Sequence, residues 1–157
     1  MTKSMLLGLA MIVAASTQAH AYETAAKPAC DKIDTVFPAA FTAWGKPSAA
    51  IATKAAAPLN KRVTAKLPEA ADKTHAGTFS LDVPADGIYM ISASKPIWID
   101  VIQKGVTLRV VKHGHDYAPC TSIRKTVEFP LKAGLATLNL SKSFTAAVDF
   151  LIVRKAP

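Results

Sequence analysis

Apolar positions along this chain follow two rhythms, one helical and then one of alternation. Between residues 31 and 44, Ile33, Val36, Phe37, Ala40, Phe41 and Trp44 recur at spacings of three and four, which places them on one face of a helix. Pro38 interrupts that face, since a proline nitrogen has no proton to give a helix interior. The pattern predicts one or two short turns laid against the core and ended by Gly45, Lys46 and Pro47. Residues 48–58 are alanine-rich with few large side chains, and predict a weak helix or a surface linker. Beyond Pro58 the period drops to two. Val63, Ala65 and Leu67 share one face of a half-buried strand over 62–67, and Phe79, Leu81 and Val83 do the same over 78–83. Pro84, Ala85, Asp86 and Gly87 read as a turn in which glycine supplies a positive φ. Further strands are predicted at 88–93, 97–103, 106–112, 124–131, 135–140 and 147–154, with Lys104 and Gly105 closing a tight hairpin between two of them. Short strands at regular spacing, with no long helix between them, specify an all-β fold: an antiparallel β-sandwich of jelly-roll kind, about eight strands, with a short N-terminal helical segment. Trp98, Phe129 and Phe150 fall within strands and are expected in its core.

Ahead of these elements lies a different kind of segment. Lys3, an apolar run from Met5 to Ala15 and small residues at Ala19 and Ala21 have the form of a secretory signal peptide cut after Ala21. The run is too short for a membrane span, which needs roughly 18 apolar residues or more. The chain therefore divides into a leader at 1–21, a helical and linker segment at 22–57 and a β-sandwich at 58–157, with a periplasmic or secreted destination and no membrane span in the mature form. Export bears on the two cysteines, because an oxidising compartment favours joining Cys30 to Cys120. That bridge would remove about 4–5 kcal/mol of unfolded-chain entropy.

The full chain of 157 residues has a net charge of +8, and its leader accounts for one of those charges. A basic exported protein suits anionic envelope partners such as acidic polysaccharide, lipopolysaccharide or a membrane surface. The lysines are dispersed and not interleaved with aromatics, so nucleic acid is not expected as a partner. No phosphate-binding glycine loop occurs, nor a G-x-S-x-G nucleophile motif, and the 11 acids do not suggest a glycosidase pair. No convergent catalytic set emerges, and the reading favours a non-catalytic protein.

Candidate chemistry concentrates between residues 98 and 125. His113 and His115 are two apart, so in an extended chain both imidazoles point to one side, as metal ligands must. Asp116, with Asp100 or His75 as alternatives, could complete a site for zinc, copper or iron. The competing reading makes this loop a brace beside the disulfide. Trp98 and Asp100 share one strand face and, with Tyr117, Arg124 and Lys125, could form a shallow aromatic and polar patch for a sugar or aromatic ligand. Its plainer alternative is an Asp100–Arg124 surface ion pair beside a core tryptophan.

Two resemblances bear on this region. The run FSLDVPADGIYMI at 79–91, followed by WIDV at 98–101, FPLKAG at 129–134 and LNL at 138–140, resembles the pre-peptidase C-terminal type of β-sandwich over about residues 77–153. The combination of WIDV, His113-Gly114-His115, Cys120 and IRK at 123–125 is similar to a group of small exported α-proteobacterial proteins without assigned activity. Some of these carry the label homogentisate 1,2-dioxygenase, which would imply a metal-dependent oxygenase with iron held by two His and one Glu. That enzyme is a much larger cupin, and the chain has neither its length nor its motif. Both resemblances imply an accessory β-sandwich. The favoured expectation is an exported, non-catalytic binding or accessory module of the envelope, with a periplasmic metal-binding protein as the alternative.

Overall fold

The computed structural model describes residues 29–114 and 118–156. The expected leader lies outside the described residues, as do His115, Asp116 and Tyr117. A 3-10 helix, Ala39–Gly45, precedes ten strands. They are β1 (Ala49–Ala52), β2 (Val63–Lys66), β3 (His75–Val83), β4 (Gly87–Ala93) and β5 (Trp98–Gln103). After them come β6 (Val106–Thr107), β7 (Lys112–Gly114), β8 (Lys125–Leu131), β9 (Gly134–Ser143) and β10 (Ala147–Arg154).

The strands form two facing sheets, one ordered β1-β2-β10-β4-β8-β7 and the other β3-β9-β5-β6. Every pairing is antiparallel except β1 with β2. Alternation along each strand delivers one face to the interior, so Phe79, Leu81, Tyr89, Ile91, Phe129, Leu138 and Phe150 are all fully buried between the sheets. Phe79 and Phe150 meet across the layers with ring centroids 5.4 Å apart. One side of the sandwich is stitched shut where residues 54–57 lie along β3: the Lys54 amide donates to the Thr78 carbonyl at 2.5 Å and the Ala57 amide to that of Ser80 at 2.8 Å. Among the described residues no helix is long and apolar enough to cross a membrane.

The all-β sandwich expected from the periodicity is the observed fold, with five departures. Residues 49–52 are a strand, neither helix nor linker; small side chains there let the chain lie parallel against β2, so pairing decides where periodicity is silent. The strand expected over 106–112 is split into β6 and β7, because between them the chain leaves one sheet for the other. The Leu108 amide donates to Val101 of the second sheet, the Val111 amide to Glu128 of the first. Gly87 does not take a positive φ; a side chain there would meet Arg154, a Cβ lying 2.7 Å from its Nε. Positive φ belongs instead to Lys104 and Gly105 in the expected hairpin, as its two-residue turn requires.

The fourth departure is Trp98, which is 64% exposed. Ile99, Val101 and Gln103 point inward from β5, and the phase of the strand turns Trp98 outward with Asp100.

The N-terminal segment packs outside the first sheet. Phe41 and Trp44 from the 3-10 helix join Met90, Ile123, Leu151 and Val153 in a small second core on the outer face. Pro38 caps this helix, so Ile33 and Val36, expected on the same helical face, precede it and are exposed. The Cys30–Cys120 disulfide fastens the segment at its start, with Cα atoms 5.3 Å apart.

Candidate functional site

One end of the sandwich gathers the polar chemistry. The loop of residues 94–97 joins β4 to β5 and is held by the opening of β8. The Arg124 amide donates to the Ala93 carbonyl at 2.8 Å, and the Lys125 ammonium donates to the Ile97 carbonyl at 2.7 Å. Lys125 is the inward position of β8 nearest this end, so its ammonium emerges beside Trp98, 5.6 Å from the ring centroid. This is a cation–π contact on a tryptophan that keeps most of its surface in solvent. Burial lowers the Lys125 pKa from its ordinary value, and the negative charge of Asp100 opposes that shift. The expected patch of Trp98, Asp100 and Lys125 is therefore brought together, but with Lys125 as the cation in the field of Asp100. Arg124 instead lines a cleft on the other side of the loop.

That cleft has a volume of about 450 Å³, and its wall includes Arg62, Lys95, Ser122, Arg124, Asp34 and Asp149. A chain of hydrogen bonds organises it. Arg62 donates to Asp149 at 2.5 Å and to the Trp44 carbonyl at 2.9 Å, with its guanidinium 5.0 Å from the Trp44 ring centroid. The second oxygen of Asp149 accepts from the Thr64 hydroxyl at 2.5 Å. On the opposite wall Asp34 accepts from the Ser122 amide at 2.7 Å and from its hydroxyl at 2.6 Å, while the Trp44 indole N–H donates to the same hydroxyl at 2.9 Å. Both carboxylates are thus engaged by protein donors. Lys95 stands on the wall as a further cation, Arg124 also lines the cleft, and Arg62 Nε is buried without a hydrogen-bond partner among the described residues. The arrangement suits holding an anion more than holding a metal.

Sequence reasoning singled out only Arg124 in this cleft. Arg62, Asp149 and Asp34 lie far apart along the chain, and only the register of β2 with β10 and the disulfide bring them together. The pairing of Thr64 with Asp149 in that register is the one signal that an alignment of strands could have exposed.

The expected metal site is only partly described. His113 is exposed on β7 opposite Val127, at one edge of the first sheet. His75 lies on β3, at the side of the sandwich away from β7, with Nδ1 3.2 Å from the Leu67 carbonyl. It thus ties the start of β3 to the chain that leaves β2. Cys120 is committed to the disulfide. Among the described residues no group of three His, Cys, Asp or Glu side chains could hold a metal ion. A residue that sequence reasoning passed over is Glu128, buried on the outward face of β8, where both carboxylate oxygens lie 3.1–3.2 Å from the Lys155 ammonium.

No family model, no curated protein and no solved structure matches this chain.

Proposed function

We propose that the protein is an exported, non-catalytic binding or accessory module of the cell envelope, and that it binds an anionic ligand at the end of the sandwich bearing Trp98 and the Arg62–Asp149 cleft. The observation that carries this reading is the exposed Trp98 ring with the Lys125 ammonium beside it. An aromatic face next to fixed positive charge recognises a ring that carries a carboxylate, as in an acidic sugar. Lys95 extends the positive surface to the neighbouring cleft, where Asp149 is paired with Arg62 and Asp34 is held by Ser122.

Tryptophan emission tests it, because Trp44 is fully buried and Trp98 is not. Polygalacturonate should shift or quench the Trp98 emission, and neutral dextran should not. Measured by titration calorimetry, Lys95→Ala and Trp98→Ala should each weaken binding by roughly three- to tenfold without lowering the melting temperature, and added salt should weaken it further. Equal responses to both polymers, or none to either, would overturn the reading.

A further inference from the structure

The turn between β9 and β10 carries Phe144, which is 86% exposed. It belongs to the same end of the molecule as Trp98, since the β5–β9 register sets Trp98 opposite Ser141, three residues before Phe144. Nothing about this turn is loose. The Ser143 hydroxyl donates to the Thr145 carbonyl at 2.7 Å and accepts from the Thr145 amide at 3.2 Å, and the Thr145 hydroxyl donates to the Ala147 carbonyl at 3.1 Å. The Leu67 amide ties the adjoining Ala146 carbonyl to the end of β2 at 2.7 Å. Each hydroxyl beside Phe144 is therefore spent within the turn. The ring projects from a rigid tip with no polar neighbour on offer to a ligand.

A sugar hydroxyl needs hydrogen-bonding partners around the ring on which it stacks, and the Phe144 tip supplies none. An apolar medium needs no such partner. Around the tip the charge is positive: Lys66 is exposed in register with Ala147, Lys95 stands on the adjacent cleft, and Lys125 is beside Trp98. The nearby acids are each set against a cation, Asp149 against Arg62, Asp72 against Lys142 and Asp100 against Lys125, which leaves Lys66 and Lys95 as the net positive charge. Two exposed aromatics on neighbouring connections, flanked by lysines, match the layering of an anionic bilayer, where charge meets headgroups and aromatic rings reach the acyl boundary.

We infer that this end of the sandwich docks on an anionic phospholipid surface, with Phe144 inserted below the headgroups, Trp98 at their level and Lys66 and Lys95 against lipid phosphates. The inference rests on the anion-binding reading only for its cations; insertion of Phe144 is separate.

Sedimentation of the full, disulfide-bonded chain with vesicles tests it. Vesicles of equal parts phosphatidylglycerol and phosphatidylcholine should take up the protein and shift Trp98 emission to the blue, while pure phosphatidylcholine should not. Phe144→Ser should weaken partition about tenfold with an unchanged melting temperature, and Phe144→Leu should retain most of it. Equal uptake by both vesicle types overturns the inference, as does Phe144→Ser binding like the parent. Failure of the parent to sediment overturns it too. A surviving response to polygalacturonate would then leave the anion-binding reading in place, and its loss as well would remove both.

Discussion

Lys125 shows how one residue can connect two layers of a protein. It occupies an inward position of β8, yet sits so close to the strand's beginning that its ammonium reaches out beside Trp98 and bonds the Ile97 carbonyl. Desolvation disfavours its charged form and Asp100 favours it, so Asp100→Asn should lower the Lys125 pKa further. The pH profile of its reaction with an amine-specific reagent measures this directly; an unchanged or raised pKa would exclude the assigned coupling. The sign for stability follows from linkage. Below the folded pKa, both folded and unfolded chains carry the proton and the fold bears the full desolvation cost. As pH rises towards the ordinary lysine value, the folded state releases its proton first and that cost is relieved. Asp72 works in the opposite sense. Its bond to Lys142 holds the carboxyl well below the usual carboxylate range, so its contribution is present at neutral pH and is lost only in strong acid. At this scale Asp100 and Lys125 could be singled out from sequence as candidates. The outward turn of Trp98 could not, since an aromatic in a strand is buried or exposed by the phase of its neighbours, and only Ile99 and Val101 reveal that phase.

At the scale of elements, alternation located β2 and β3, which bury one face, whereas β4, β8 and β10 are buried on both faces and were legible as apolar, β-branched runs bounded by turns, as were β5 and β9. β1 and β7 bury almost nothing, so they left no periodic trace and exist through backbone pairing with β2 and β8. The 3-10 helix is an intermediate case. Phe41 and Trp44 announced it, but its role as the lid of a second core needed the outer face of β10, where Leu151 and Val153 are also buried. Trp44 contributes twice, through packing and through its bonds to Ser122 and Arg62. Trp44→Ala should therefore cost about 3–5 kcal/mol in urea unfolding, whereas Val36→Ser, on the exposed approach to the helix, should change stability little.

For the whole molecule, the two sheets account for the shape and the disulfide for the site. The candidate leader and the His115–Asp116 pair fall outside the described residues, and the cleft was invisible in sequence because its parts are 87 residues apart between Arg62 and Asp149 and 88 between Asp34 and Ser122. Replacing Cys30 and Cys120 together by serine should lower stability by about 4 kcal/mol, as measured by urea unfolding of oxidised parent and variant. It should also weaken polygalacturonate binding, since Asp34 bonds both the Cys120 carbonyl and Ser122 and comes from the segment the disulfide fastens. The order of synthesis gives that bridge a second meaning. Cys30 leaves the ribosome long before Cys120, and the walls of the cleft are delivered in the same order, Asp34 and Arg62 first, Ser122 and Arg124 late, Asp149 last of all. On the proposed reading, the end that binds is completed by the last-made residues and fastened by an oxidation. A chain held in a reducing compartment would keep its sheets and the Arg62–Asp149 wall but lose the fastening of the Asp34 wall, so the proposed binding would be strongest where the chain is oxidised.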